Sequence, residues 1–283
     1  MIKKIGIYPN LRKEVVVKQL EHIVTLVKEA GLVPYLPEDV AAKYECQSYV
    51  PGNEESLRQV DVFMSLGGDG TLLRMADLLV RINMPAFGVN FGHLGFLAEV
   101  ETHELPSALK MIGQDFYTVE NRSMLKTMVL QNGKEINKAH ALNDIVVSKA
   151  KISKMAHYFI EVNGKQAASI AADGIIVATA TGSTAYSLSA GGPLVHPDVD
   201  AMVITPICPH SISNRPLVIP MDSMVEISTE RDREQLILQA DGKILGPIED
   251  DCVVKIIKSN YKMQLLRVTT EDYYDNLQEK LMR

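Results

Sequence analysis

The sequence predicts an α/β N-terminal domain built on a parallel sheet, followed by an antiparallel, all-β domain. In the first third, short apolar runs alternate with helical spacing, as in Ile2–Tyr8 followed by Val15–Ala30. Strands separated by helices are typical of a parallel sheet with helices on both faces. After about residue 115, strand-like runs follow one another with few helical periods. A length of 283 residues also favours two domains, since typical domains have about 100–200 residues.

The N-terminal elements follow from apolar runs and apolar spacing. Val15–Ala30 carries apolar residues three and four positions apart and is followed by Gly31, a typical helix stop. Residues 37–58 are polar and broken by prolines, so we expect an irregular connector. The remaining predicted elements are strands at Ile2–Tyr8, Leu32–Leu36, Val60–Leu66 and Ala86–Val89, and a helix at Leu72–Arg81.

The second half is predicted from short β-like runs and hairpin turns. Asn132-Gly133 and Asn163-Gly164 each separate two such runs and predict hairpins. The predicted strands are Met124–Leu130, Lys134–Leu142, Ile145–Lys149, His157–Val162, Gln166–Ala171, Gly174–Thr179, Met202–Ile207, Met224–Thr229, Gln235–Ala240 and Cys252–Lys258. The last stretch, Asp272–Arg283, returns to helical character, with Thr269 or Thr270 as N-cap.

Composition excludes several classes of protein. With 46% apolar and 23% charged residues the chain is not disordered, and a net charge of −6 argues against a chain-wide nucleic-acid surface. Three scattered cysteines fit a reducing cytosol and exclude a disulfide framework. The uncharged stretch between Asp173 and Asp198 is too rich in glycine and hydroxyl residues to span a membrane. Residues 1–10 lack the apolar core of a secretory signal, and we expect a cytoplasmic protein.

The strongest local motif is Gly67-Gly68-Asp69-Gly70-Thr71, between a predicted buried strand and a helix. Its glycines allow close backbone approach to a ligand, and the helix start suits a phosphate. A carboxylate such as Asp69 is expected in a phosphate-binding loop only if it binds a metal, accepts a proton or accepts a hydrogen bond from a ribose hydroxyl. The alternative is a tight turn with an N-capping Asp. Arg74, one turn into the helix, reaches a phosphate or lies on a solvated face.

A second motif is the run from Thr181 to Pro193, TGSTAYSLSAGGP. Its small hydroxyl residues and glycines supply many hydrogen-bond donors at close range, which suits a nucleotide or pyrophosphate. The alternative is a glycine-rich surface loop. Tyr186 in this run either stacks on a base or packs against other residues of the protein.

The remaining candidate residues are less specific. Asn143-Asp144 fits a base edge and ribose hydroxyls, although Asn-Asp is most often a turn, and the same holds for Asp173-Gly174 and Asp241-Gly242. His93 either lines the ligand site or has a structural role. Paired metal-ligand spacings are absent from the sequence, so any metal is a hard ion such as Mg²⁺, held mainly through substrate phosphates and one carboxylate.

Together these motifs resemble the NAD kinase family. The matching features are GGDGT at 67–71, Gly92–Leu97, Leu142–Asp144, Asp173-Gly174 and TGSTAYSLSAGGP at 181–193. GGDGT alone also occurs in diacylglycerol and sphingosine kinases. The resemblance implies a Rossmann-like α/β domain at 1–100, rejoined by a tail at 266–283, and a β-sandwich-like NAD-binding domain at 101–265. It further implies a homodimer or homotetramer.

The resemblance also implies an activity and its residues. It implies that ATP phosphorylates NAD at the 2′-hydroxyl of the adenosine ribose, with Asp69 as the base and with Mg²⁺ or another divalent cation. The residues expected to bind phosphates are Gly67, Gly68, Gly70, Thr71 and Arg74. The residues expected to hold NAD are Asp69, Gly70, Asn143, Asp144, Asp173, Thr184, Ala185, Tyr186, Ser187, Leu188 and Ser189. Further candidates for the site are His93, Lys154 and Thr181. Lys243 departs from the glutamine expected after Asp241-Gly242.

Two other functions are compatible with parts of the sequence. A lipid kinase would need an apolar entrance or a membrane-facing basic patch, whereas the uncharged run is rich in glycine and hydroxyl residues. A binding-only nucleotide sensor would have no evident need for Asp69. The sequence leaves open the range of phosphoryl donors and the choice between NAD and NADH.

Overall fold

The protein is described from a computed structural model, which covers residues 1–92, 95–150, 155–211, 215–229, 236–249, 252–268 and 273–281. The chain forms two units, one of residues Met1–Asn121 with Met263–Arg283 and one of Arg122–Lys262. The sequence placed the first boundary after residue 100. The first unit extends further because a helix at Leu105–Gly113 buries its apolar face in that unit's core.

The first unit is built on a parallel sheet. Its strands are β1 (Lys4–Pro9), β2 (Val33–Pro37), β3 (Gln47–Tyr49), β4 (Val62–Gly67), β5 (Ala86–Asn90) and β6 (Val100–Glu101). Their lateral order is β6-β5-β4-β1-β2-β3, and every pairing is parallel. This confirms the predicted α/β class. The carboxyl ends of β1, β4 and β5 therefore lie side by side at one edge of the sheet.

Helices connect these strands. They are α1 (Glu14–Glu29), α2 (Glu38–Ala41), α3 (Glu54–Leu57), α4 (Asp69–Arg81) and α5 (Leu105–Gly113), with a 3₁₀ turn at Ala42–Tyr44. The predicted apolar face of α1 is the face that is buried, since Leu20 and Val27 are fully buried. The prediction of an irregular connector at 37–58 was wrong. Tertiary contacts hold short elements there that periodicity does not reveal, such as the hydrogen bond that the Tyr49 hydroxyl donates to the Ile7 carbonyl at 2.9 Å.

The second unit consists of antiparallel strands, and the chain enters it within β7 and leaves it within β18. The strands are β7 (Thr118–Gln131), β8 (Lys134–Ala141), β9 (Asp144–Lys149), β10 (Ala156–Val162), β11 (Lys165–Ala172), β12 (Gly174–Thr179), β13 (Ala201–Ile207), β14 (Leu217–Pro220), β15 (Val225–Thr229), β16 (Leu236–Ala240), β17 (Lys243–Ile248) and β18 (Cys252–Arg267). One sheet has the order β14-β13-β12-β9-β16-β17, and the other contains β11-β10-β15-β18 and the β7–β8 hairpin. Tyr158 and Ile160 of one sheet share a buried core with Val147 and Val177 of the other, as in a β-sandwich.

The predicted hairpin turns are present. Asn132 and Asn163 have φ values of 49° and 52°, and each is followed by a glycine with positive φ, which is the backbone of a type I′ turn. Asp241 and Gly242 form a third turn of this kind, with φ values of 47° and 74°. This third turn joins β16 to β17, a strand that the sequence did not predict.

Two further helices complete the described chain. A one-turn helix, α6 (Tyr186–Ser189), follows a 3₁₀ turn at Thr181–Thr184 in the second unit, and α7 (Tyr273–Leu281) ends the first unit. The predicted C-terminal helix is therefore present, although Thr269 and Thr270 lie outside the described residues. Within the described parts of the chain, no helix combines the length and apolar character needed to cross a membrane.

Candidate functional site

The glycine motif forms a sharp strand-to-helix turn in the first unit. Strand β4 ends at Gly67, Gly68 is the N-cap residue, and α4 begins at Asp69, three positions before the predicted start at Leu72. Gly68 has φ 151° and ψ −178°, a conformation that is essentially restricted to glycine. The first backbone N–H groups of a helix have no partner within it. The Thr71 N–H already donates to the Gly68 carbonyl at 2.8 Å, so the turn presents the N–H groups of Asp69 and Gly70 as the donors suited to an anion.

Cationic and amide side chains surround this turn. Lys13 donates from Nζ to the Gly67 carbonyl at 2.6 Å. Asn10 Nδ2 and Arg74 Nη2 both donate to Thr71 Oγ1, at 3.4 and 3.3 Å. The structure thus places Arg74 at the turn, where the sequence left its position open. It adds Asn10 and Lys13, which follow the carboxyl end of β1 and become neighbours only because β1 pairs with β4.

The Asp69 carboxylate is held by three consecutive backbone amides. Phe96 donates to Oδ2 at 2.8 Å, and Leu97 and Ala98 donate to Oδ1 at 3.1 and 2.8 Å. A Cβ added at Gly95 would clash with Asp69 Oδ1 and lie 2.9 Å from Oδ2. The segment 95–98 is therefore shaped around this carboxylate.

These hydrogen bonds determine which acceptor positions of the Asp69 carboxylate remain available to a ligand. An ionised carboxylate has about four acceptor positions, and amides of the described segment occupy two on Oδ1 and one on Oδ2. The carboxylate is thus immobilised, with acceptor capacity left on Oδ2 for one further donor such as a hydroxyl group. The sequence did not predict these amide contacts. His93, in the same motif, lies outside the described residues, as does Lys154.

A second carboxylate organises the second unit in the same way. Asp241 accepts hydrogen bonds from the backbone N–H groups of Leu142, Asn143 and Asp144, at 2.8, 2.8 and 3.1 Å. The Asp241 N–H in turn donates to the Asp144 carbonyl at 3.0 Å. The Asp-Gly turn therefore fixes the Asn-Asp pair. The sequence alone predicts a turn for both the Asn-Asp and the Asp-Gly motif, and no pattern in it indicates that the two are in contact.

Asp144 is a buried carboxyl group. Its side chain is 5% exposed, and burial, followed by the nearby charge of Asp241, raises its pKa to about 7, although a hydrogen bond from the Tyr186 backbone N–H opposes the shift. A pKa near 7 means that both protonation states are populated near neutral pH, so the group can donate or accept a hydrogen bond.

The run from Thr181 to Pro193 begins with a 3₁₀ turn and a short helix that ends at Ser189, where the sequence suggested a loop. Tyr186 and Ser189 are exposed, whereas Thr184, Ala185 and Leu188 are half-buried. Thr181 and Ser187 are buried, and the Ser187 hydroxyl pairs with Thr205 Oγ1 at 2.8 Å. Gly182 has no room for a Cβ because the Asn143 carbonyl lies against it. The exposed and half-buried residues, together with the backbone, are thus the parts of this segment that face outward.

Asp173 lies directly before β12 and pairs with a lysine that no sequence motif marks. Lys149 Nζ lies 2.7 Å from Asp173 Oδ1, and the Lys149 N–H donates to the Asp173 carbonyl at 3.1 Å. β9 and β12 are paired, so Lys149 comes next to Asp173 through sheet register. Lys243, at the start of β17, is exposed.

Side chains that could ligate a metal ion do not form a cluster in the described part of the chain. Among the residues that the structure describes, no three His, Cys, Asp or Glu side chains gather into a metal site.

Comparisons with known proteins agree for both halves of the chain. The model of the ATP-NAD kinase N-terminal domain matches residues 9–117, and that of the ATP-NAD kinase C-terminal domain matches residues 142–268. A protein named NAD kinase from Thermoanaerobacter sp. (strain X514) is 39% identical over 280 residues, which cover 99% of each chain. Another from Clostridium botulinum (strain Loch Maree / Type A3) is 40% identical over 283 residues, covering 99% of this chain and 96% of the relative.

Two solved structures share the fold. A yeast NADH kinase complexed with NADH superposes with a TM-score of 0.88 at 24% identity, covering 99% of this chain and 88% of that one. An NAD kinase from Archaeoglobus fulgidus in complex with ATP superposes with a TM-score of 0.74 at 28% identity, covering 99% of this chain and 98% of that one.

Proposed function

The chain belongs to the ATP-NAD kinase family, and on that premise we propose that it transfers the γ-phosphate of ATP to the 2′-hydroxyl of the adenosine ribose of NAD. The products are NADP and ADP. The observation that carries this proposal is the full-length similarity to proteins named NAD kinase, at 39% identity over 99% of both chains. The order of the polar motifs along the chain supports it.

The first unit supplies the groups for phosphoryl transfer. The amides of the Gly67–Thr71 turn, with Lys13 and Arg74, bind and neutralise phosphate oxygens, which is most of what such a transfer demands of a protein. Lys13 is suited to this because its Nζ already lies 2.6 Å from the Gly67 carbonyl. Asn10 orients Thr71 through the contact between Asn10 Nδ2 and Thr71 Oγ1.

Asp69 orients the acceptor and takes its proton. The 2′-hydroxyl donates a hydrogen bond to Oδ2, the oxygen with acceptor capacity left, and its oxygen attacks the γ-phosphorus. The bond between that phosphorus and the bridging oxygen breaks, ADP leaves, and the hydroxyl proton passes to the Asp69 carboxylate. The three amides keep the carboxylate in one orientation throughout, which favours a productive geometry.

The second unit supplies the groups that hold NAD. Asn143 and Asp144, fixed by Asp241, present an amide and a carboxyl group suited to ribose hydroxyls and a base edge. Tyr186 and Ser189 offer exposed side chains, and Thr184, Ala185 and Leu188 contribute backbone and half-buried surface. Thr181 and Ser187 are buried and support this segment on its inner side. Asp173, paired with Lys149, binds the nicotinamide end.

The divalent cation enters with the nucleotide. Mg²⁺ would be carried by the ATP phosphates and would neutralise part of their charge, so it would arrive as part of the substrate. The enzyme is cytoplasmic, in keeping with its three free cysteines, and forms a homodimer or homotetramer, which light scattering of the purified protein tests.

One assay separates this function from the two alternatives. Radiolabelled ATP and Mg²⁺ are supplied with NAD and, in parallel, with diacylglycerol vesicles, while calorimetry measures NAD binding. We expect label in NADP alone. Label in the lipid would identify a lipid kinase, and NAD binding without NADP formation would identify a sensor. Repeating the assay with EDTA tests the cation.

A further inference from the structure

The segment that holds Asp69 is itself held by the C-terminal part of the first unit. Asp69 depends on the amides of residues 96–98, so its orientation is only as fixed as that segment. This segment is contacted by Arg267, the last residue of β18, and by Lys280 of α7.

The first contact is a buried ion pair. Arg267 pairs with Glu99, directly after the amide-donating segment, and its Nε lies 3.0 Å from Glu120 Oε1. Glu99 is 8% exposed, and burial lowers the pKa of Arg267 to about 10. A charge pair in such surroundings fixes geometry because either partner left alone would be buried without compensation. This pair anchors the C-terminal end of the segment.

The second contact falls on the residue that binds Asp69 Oδ2. Lys280 of α7 places its buried Nζ 3.7 Å from the centroid of the Phe96 ring, within the range of a cation–π interaction. Phe96 donates its N–H to Asp69 Oδ2 at 2.8 Å. The Phe96 side chain and backbone thus link α7 to the oxygen assigned to the acceptor hydroxyl.

We infer that Lys280 is a positioning residue for Asp69, acting through Phe96. This inference rests on the proposed function, because it assigns a consequence to the orientation of Asp69. The ammonium group holds the Phe96 ring, the ring fixes the Phe96 N–H, and that N–H fixes Oδ2. Lys280 lies far from the motif in sequence, and no local pattern marks it.

The test compares two methionine substitutions on the same helix. Lys280→Met keeps the aliphatic length and removes the charge, whereas Gln278→Met changes an exposed neighbour and serves as the control. We expect Lys280→Met to lower kcat about three- to tenfold, with KM for NAD and ATP unchanged. Lys280→Arg, which retains a cation for the ring, should restore kcat.

Two further measurements distinguish positioning from general destabilisation. Adding Lys280→Met to Asp69→Asn should lower kcat no further, because the orientation of a lost carboxylate is irrelevant. Hydrogen exchange of the amides of Phe96, Leu97 and Ala98 should be faster in Lys280→Met than in Gln278→Met at equal Tm.

The inference is overturned if these amides exchange equally in both variants, or if kcat of Lys280→Met matches the control. It is also overturned if the effects of Lys280→Met and Asp69→Asn multiply. Failure of the proposed function would look different, since the unaltered chain would then form no NADP. The hydrogen-exchange comparison tests the link between α7 and Phe96 in either case.

Discussion

The carboxylate of Asp241 accepts a hydrogen bond from the backbone N–H of Asn143 at 2.8 Å. The same carboxylate also binds the N–H groups on either side of Asn143, so one side chain fixes three consecutive residues. Asp69 binds three consecutive amides in the first unit in the same manner. Each unit thus uses one aspartate to give a short segment a single conformation.

Asp241→Asn tests the positioning of the Asn143-Asp144 pair. An asparagine has one acceptor oxygen, so its NH₂ group would face an N–H donor and at least one amide would lose its partner. We expect a rise of about tenfold in KM for NAD and a smaller change in kcat, measured by steady-state kinetics. Asp222→Asn, in an exposed turn, is the control. An unchanged KM would refute the positioning role.

The buried Asp144 predicts a specific dependence of stability on pH. Its pKa is about 7 in the folded protein, against an ordinary value of 3.8. Below about pH 4 both states hold the proton, whereas between about pH 4 and 7 only the folded state does, so the free energy of unfolding falls as pH rises through this window.

Asp144→Asn should remove that fall. Its free energy of unfolding, measured by urea titration from pH 4 to 8, should depend less on pH than those of the unaltered chain and Asp222→Asn. Parallel curves for all three proteins would contradict the raised pKa of Asp144.

Gly95→Ala tests the fit of the 95–98 segment around Asp69. The new Cβ would clash with Asp69 Oδ1 and shift the carboxylate. Because small misplacements are costly in catalysis, we expect a loss in kcat of up to about 100-fold, with NAD binding retained by calorimetry. Gly92→Ala, whose Cβ would lie 4.0 Å from Asn90 Oδ1, should lose much less. Equal activity of both variants would show that Asp69 tolerates displacement.

Lys13→Met tests the cation added to the glycine turn. Loss of a charge-assisted contact to phosphate should raise KM for ATP about tenfold and leave KM for NAD unchanged. Lys18→Met removes an exposed lysine of α1, the helix that Lys13 precedes as N-cap residue. Lys18 pairs with Glu14 at 2.7 Å, and its loss should have no effect. A matching response of the two variants would exclude Lys13 from the phosphate site.

The parts of the fold that the sequence predicted are those with strong local patterns. The face of α1, the strand before Gly67 and the turns at Asn132 and Asn163 follow from apolar spacing and from the need for positive φ. The short elements within residues 37–58 and the strand β17 were missed. They depend on long-range partners, such as Ile7 for Tyr49, which periodicity does not report.

The same distinction applies to the candidate site. The GGDGT motif and the Asn-Asp pair were identifiable because their residue types are unusual for a core. The partners that hold them were not, since the 96–98 amides and the Asp241 carboxylate come from positions distant in the sequence. Lys13 and Lys149 become relevant only through strand pairing, β1 with β4 and β9 with β12.

The most direct test of the proposed mechanism is the turnover of Asp69→Asn beside its binding of NAD. Calorimetry should give NAD affinity close to that of the unaltered chain, while NADP formation with ATP and Mg²⁺ falls at least about 100-fold. Asp77→Asn, on the exposed face of the same helix, should retain full turnover. Near-normal NADP formation by Asp69→Asn would contradict the assignment of Asp69 as the group that orients and deprotonates the 2′-hydroxyl.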